Sequence, residues 1–271
     1  MEGRPTLYKK IGVASTFSPR FLQVLAEAKR IGDRFGGELN LLYVGEKTDK
    51  TSAKFREALA HVSLPLDTAI HYEHGDPAHG ILRVVREQNI DLILAGALEQ
   101  QVILHPFLGN VARRLVRDGR CSVMLFTHPD IRPKPLRKIV FIADDSLQAL
   151  DALKKTLRLA AAEASERLYV IRVITAFDQA RAKAQGAQAK FKTSEAEETA
   201  LEEFVLSAGA TSVPIEARCI RGNTGFAAAD FVQSIGADLL AVPVAPASSA
   251  ELPPNIAWLA DVIPCNLWLL R

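Results

Sequence analysis

The chain has 271 residues, 48% of them hydrophobic and 24% charged, with a formal net charge of +2. That is a normal globular balance, long enough for one large domain or two ordinary ones, and basic residues scattered at a near-neutral net charge make no case for nucleic acid. No run reaches the roughly 18 apolar residues a membrane helix needs, and the first five residues lack an apolar signal region. Three cysteines without Cys-x-x-Cys spacing argue against a disulfide framework and a zinc site. The expectation is a cytoplasmic protein whose cysteines are buried small hydrophobes.

The sequence predicts a first strand over 8–14, then a polar turn in which Ser18 can cap and Pro19 can open a helix. Phe21, Leu22, Leu25, Ala28, Ile31 and Phe35 form an apolar stripe at helical spacing, and Gly36-Gly37 stops it. A second strand over 38–44, a second helix over 51–62 and a third strand over 66–73 follow. Asp76 caps and Pro77 starts a third helix carrying Ile81, Leu82, Val84 and Val85. The run 91–97 is a short apolar strand ending at Gly96. Gly109 closes a long loop onto a helix with Val111, Leu115 and Val116, and 121–126 is the fifth strand. Strands alternating with helices imply an α/β fold, a parallel sheet covered on both faces. In the five-stranded doubly wound order, the ligand crevice lies beyond the carboxyl ends of the strands, where the winding reverses. Gly96 and Gly109 thus set a strand end, a loop and a helix N-terminus in succession. That arrangement can hold a phosphate, or it only ends a strand and begins a helix.

Residues 127–137 hold Pro129, Pro133 and Pro135 and read as a stiff linker. The pattern then restarts: 138–143 echoes 10–14, 168–173 echoes 41–44, 238–242 echoes 91–95, and 265–270 echoes 121–126. Repetition on this scale means two homologous domains, over 1–128 and 138–271, with the Pro-rich linker at 129–137. The second copy alone has a long polar stretch, 176–208. It reads as an extended helix with a flexible Gly186 region, a candidate arm for a partner, or as a surface loop.

The strand 91–95 with Gly96, the spaced Gly109 helix, the Cys-led strand 121–126 and Gly75-Asp76-Pro77-Ala78 resemble the universal stress protein family. Both halves fit, so the resemblance covers residues 8 to 271 as a tandem. It implies two tandem doubly wound five-stranded parallel-sheet domains, Rossmann-like and akin to adenine nucleotide alpha hydrolases. It also implies pairing of 266–270 with 122–126, an intramolecular pseudo-dimer, with a homodimer as a further level of assembly. Trp268 in that last strand would anchor the pairing or pack in an ordinary core.

One kind of family member binds ATP through an Asp ending the first strand and a Gly-x2-Gly-x9-Gly-[Ser/Thr] loop; the other kind lacks the loop. In the first domain Gly96 and Gly109 match the first and third glycines. Asn110 replaces the Ser or Thr, and Ser15 or Thr16 stands in place of the Asp. Glu99 takes the second glycine's position, where a carboxylate repels phosphate and a side chain blocks close backbone approach. In the second domain Asp144 matches the acid, but Pro243 and Pro253 replace glycines of the loop. Asp144 can hold a ribose hydroxyl or, with Asp145 and Ser146, cap the next helix. The nucleotide-binding residues implied by the resemblance are Ser15, Thr16, Gly75, Asp76, Gly96, Gly109, Asn110 and Asp144, with ATP or AMP as the ligand and no complete site in either half.

His71, His74 and His79 cluster with Asp76 without a known metal spacing. They read as solvated loop histidines or as a weak metal or anion site near the crevice, which His105 would also reach. No nucleophile or acid–base pair can be assembled, and the glycines at 75 and 80 lack the lysine of a phosphate loop. The expected function is a non-enzymatic stress-response protein that binds a protein partner or a small ligand. The alternative is a sensor of ATP, ADP or AMP with at most slow hydrolysis in the first-domain crevice. A third reading, a binder of apolar ligands, rests on the apolar loops 97–108 and 244–254.

Overall fold

The computed structural model describes residues 6–99, 106–107, 109–175, 194–222, 224–244, 254–260 and 262–271. The chain forms two compact units. Unit 1 comprises Met1–Lys134, Pro246–Leu252 and Asn266–Leu269; unit 2 comprises Pro135–Ala245, Pro253–Cys265 and Leu270–Arg271.

Unit 1 runs β1 (Lys10–Ser15), α1 (Phe21–Phe35), β2 (Glu38–Val44), α2 (Asp49–His61), β3 (Ala69–Glu73), α3 (Pro77–Gln88) and β4 (Leu92–Gly96). It continues through β5 (Leu98–Glu99), β6 (Pro106–Phe107), α4 (Asn110–Asp118) and β7 (Ser122–Phe126). The sheet order is β7-β4-β1-β2-β3, all parallel. Adjacent strand residues face opposite ways. Tyr43 therefore meets Phe17 of the β1–α1 loop and Phe55 of α2, while Leu42 packs with Ile81, Val85 and Leu115 of α3 and α4. With helices on both faces, the central strands bury nearly continuous apolar runs: Leu92, Ile93 and Leu94 are all 0% exposed. Each such side chain contributes about 1.5–3 kcal/mol of burial.

Local signals set the helix ends. Gly36 takes φ +70°, and its N–H donates to the Gly32 carbonyl at 2.8 Å, closing α1. Helix α1 starts at Phe21, later than Ser18 and Pro19 suggest, because the Ser18 carbonyl, not its hydroxyl, accepts the Phe21 N–H. Helix α2 starts at Asp49, earlier than expected, because Thr48 and Thr51 form a reciprocal capping box. Strand β3 starts at Ala69 because the Thr68 amide and hydroxyl both turn back onto the Pro65 carbonyl.

Unit 2 runs β8 (Lys138–Ile142), α5 (Ala149–Glu163), β9 (Arg167–Ile174), α6 (Ser194–Ser207), β10 (Ile215–Arg221), α7 (Thr224–Ser234) and β11 (Leu239–Pro243), then a 3-10 turn over Pro254–Ala260. The last strand, β12 (Asn266–Leu270), belongs to unit 1 up to Leu269. Strands β10-β9-β8-β11 are parallel in that order. The expected partner of the last strand is present. In unit 1, β12 lies antiparallel to β7, with Leu267 opposite Leu125, Trp268 opposite Met124 and Leu269 opposite Val123. Trp268 is fully buried there, beside the rings of Tyr8 and Phe35. Helix α6 supplies the helical part of the long polar stretch; residues 176–193, with Gly186, lie outside the described residues. Among the described residues no helix is long and apolar enough to cross a membrane.

Candidate functional site

The winding of unit 1 reverses between β1 and β4, neighbours in register at Val13 and Leu94. Their carboxyl ends therefore open the crevice that this kind of sheet offers a ligand. Ser15 lies there at 4% exposure, and its hydroxyl donates to the Val13 carbonyl at 2.9 Å. Thr16, the next residue, is exposed. Gly96 ends β4 with its backbone exposed; a Cβ there would lie 3.2 Å from Val24 Cγ2 of α1. Gly109 is the N-cap of α4, with φ −64° and ψ 165°, and the helix start has no side-chain cap. Asn110 occupies the first helical position and is exposed. The first amides of α4 thus have neither a capping hydroxyl nor a capping carboxylate.

Gly75 and Asp76 follow β3, the edge strand, with β2 between them and β1. Gly75 takes φ +90°, a left-handed turn that suits glycine. Asp76 caps α3: its Oδ1 accepts the His79 N–H at 2.9 Å and the Arg114 Nη1 at 2.7 Å. The His79 amide first, and then the Arg114 guanidinium, hold the Asp76 carboxyl below the usual carboxylate range. This contact joins the start of α3 to α4, across 38 positions of sequence.

In unit 2, Asp144 Oδ1 accepts the Ser146 hydroxyl at 2.6 Å and the Ser146 N–H at 3.1 Å. That is a local Asx turn. Helix α5 begins only at Ala149, and its N-cap Gln148 makes no side-chain cap bond, so Asp144 does not cap it. The β11 strand ends in Pro243, which is buried.

The histidines do not converge. His71 Nε2 meets Asn40 Oδ1 at 3.0 Å, and burial holds its imidazole below the ordinary value. His74 is exposed, and His79 Nδ1 lies 3.3 Å from Asp76 Oδ1. Among the described residues no His, Cys, Asp and Glu group could hold a metal ion. Glu99 has its backbone in β5, paired with Pro106 of β6; its side chain, His105 and Pro253 lie outside the described set.

The aromatic residues around the crevice carried no single motif. Phe17, two residues past β1, packs on Phe55 at 4.7 Å and Tyr43 at 5.2 Å between ring centroids, and Tyr43 in turn meets Tyr72. Lys54 Nζ stands 4.9 Å from the Phe17 ring centroid. Tyr43 and Tyr72 sit near the ends of predicted strands and Phe17 in a predicted turn, so their shared place at the carboxyl rim was the available signal.

The sequence model of the universal stress protein family matches residues 7–127 and again 135–249. No curated protein matches significantly. Among solved structures, the chain is similar to a universal stress protein from Archaeoglobus fulgidus DSM 4304, with TM-score 0.67, 13% identity and 96% of each chain covered. It is also similar to a functionally unknown protein from Pseudomonas aeruginosa PAO1, with TM-score 0.70, 14% identity, and 97% of this chain and 92% of that one covered. Identities this low speak for the fold alone. The two family matches span most of the sequence, one in each half, and the chain belongs to the universal stress protein family.

Proposed function

We propose that this universal stress protein acts in the cytoplasm as a non-enzymatic stress-response protein that binds a protein partner or a small ligand. One observation carries the reading: polar side chains at the candidate positions are already engaged within the chain. The Ser15 hydroxyl serves the Val13 carbonyl, Asp76 holds the His79 amide and Arg114, and Asp144 holds Ser146. A general base or a nucleophile has to be presented to its substrate; these groups stabilise turns and helix starts instead. Phosphate release from ATP with magnesium tests the reading. It expects no release above the buffer blank, and steady turnover lost on Asp76→Ala overturns it.

A second reading, a sensor of ATP, ADP or AMP, is favoured by one feature. The start of α4 lacks a side-chain cap, and exposed Gly96 ends the strand before its loop. A phosphate accepted by the first α4 amides would take the place of that cap. The Gly109→Asp variant separates the readings, because the extended backbone at 109 is one that an Asp N-cap adopts. The helix is kept while a carboxylate occupies the anion position. Native mass spectrometry and titration with the three nucleotides then decide. Binding that is lost in Gly109→Asp establishes the sensor; no signal at millimolar nucleotide leaves the binder of a partner or another ligand.

A further inference from the structure

Between α3 and the end of α4, unit 1 carries a groove of about 290 Å³. Its apolar lining includes Leu82 and Val85, which are 8% and 5% exposed. Arg86, Arg120, His79 and Asp118 also line it. Most charges on these helices are neutralised: Arg83 pairs with Glu73, Arg114 with Asp76 and Arg117 with Asp118. Arg86 and Arg120 are exposed and have no carboxylate within ion-pair reach among the described residues. The groove's own carboxylate, Asp118, is taken by the Arg117 fork at 2.6 and 2.8 Å.

Arg86 stands in the last turn of α3 and Arg120 two residues past the end of α4, near helix C-termini where the macrodipole favours a cation. The dipole accounts for each charge singly. It does not account for two uncompensated guanidinium groups lining one groove over an apolar floor. Guanidinium groups match carboxylate and phosphate oxygens in geometry.

We propose that the α3–α4 groove binds a small organic anion, a carboxylate or a phosphate monoester. Its oxygens bond Arg86 and Arg120, and its apolar part covers Leu82 and Val85. The volume, at the lower end of the range for ligand pockets of about 300 Å³ and above, fits a single ring rather than a nucleotide. Ser15, Gly96, Gly109 and Asp144 take no part, so the site is independent of the crevice.

The test is a two-dimensional 15N NMR titration of the full chain with phenyl phosphate, benzoate and inorganic phosphate. Saturable shifts of the Gly119 and Arg120 amides are expected with phenyl phosphate, benzoate or both, and the effective anion names the headgroup. Arg86→Ala with Arg120→Ala should weaken binding at least about tenfold, the scale of a charge-assisted fork. Both residues are exposed, so the circular dichroism of this double variant should match the wild type. Gly109→Asp should leave the shifts in place. Four results each overturn the proposal: no saturable shift up to roughly 10 mM, shifts that survive in the double variant, inorganic phosphate binding as tightly as phenyl phosphate, or shifts confined to Gly96 and Asn110.

Discussion

Replacing Asp91 by alanine should loosen the start of β1. The Asp91 Oδ2 accepts two backbone amides, from Lys9 at 2.9 Å and Lys10 at 3.1 Å. Asp238 does the same in unit 2, accepting the Arg137 and Lys138 amides at 2.8 Å each. In both copies the backbone answers: the Asp91 N–H donates to the Lys10 carbonyl and the Asp238 N–H to the Lys138 carbonyl. A hydrogen bond to an ionised acceptor contributes about 1.5–3 kcal/mol, and one to a neutral acceptor about 1. The Lys9 bond is exposed and the Lys10 bond half-buried, so solvent screening brings the pair to about 2 kcal/mol. Asp91→Asn keeps an oxygen in place without the charge and should cost about half as much. Urea unfolding of the full chain gives the energies. Hydrogen exchange resolves the units, since a chain of two units need not unfold in one step. Exchange should quicken at Lys9 and Lys10 for Asp91→Ala, and at Arg137 and Lys138 for Asp238→Ala. A cost below about 0.5 kcal/mol, within the scatter of neutral surface changes, would refute the reasoning. So would unchanged exchange at the four amides.

Burial, reinforced by the Lys10 charge, depresses the His71 pKa. The unfolded chain therefore takes up the proton first, and the stability that His71 contributes is complete above its unfolded value of 6.5 and is lost as pH falls through the folded value. His71→Gln should flatten the fall in Tm between about pH 7 and pH 5, the range of histidine titration; an unchanged slope counts against it. Trp268→Ala empties a fully buried site against Tyr8 and Phe35 and should cost about 3–5 kcal/mol in urea unfolding; a loss under about 1 kcal/mol would show that β12 is not anchored there. Burial pushes the thiols of Cys219 and Cys265 up. Both should react with iodoacetamide more slowly than free cysteine in the native state and catch up in denaturant; fast native labelling contradicts this.

Much of the scaffold was legible because its signals are local. Alternating apolar runs gave the strands of unit 1, Gly36 gave the end of α1, and Asp76-Pro77 gave the start of α3. Boundaries failed where a neighbour outbid the expected residue. Thr48 drew α2 two positions earlier, and the Pro65–Thr68 turn delayed β3. Strands β5 and β6 have two residues each, too few for any periodicity. Strand β10, Ile215 to Arg221, lies at the edge of its sheet and is interrupted by Glu216, Arg218 and Arg221, so it offered no continuous apolar run. The site was less legible because its chemistry is non-local. Nothing in the spacing announces that Arg114 reaches Asp76, that Ser15 turns its hydroxyl back onto β1, or that Arg86 and Arg120 line one groove.

The two copies share what holds a strand in place and differ where a ligand would sit. Asp91 and Asp238 clamp equivalent amides because losing either clamp weakens its own sheet, whatever the protein binds. The carboxyl rims are under no such constraint, since function resides in residues grafted on the scaffold. Unit 1 ends β4 in exposed Gly96 and opens α4 at Gly109. Unit 2 ends β11 in buried Pro243, which has no N–H to offer, and a 3-10 turn over Pro254–Ala260 stands where the helix would be. A short 3-10 turn aligns too few peptide dipoles to favour an anion as α4 does. A ligand held at the crevice should therefore bind with one molecule per chain. Native mass spectrometry reads that ratio directly, and two equivalent molecules per chain would show that the rim of unit 2 is as competent as that of unit 1.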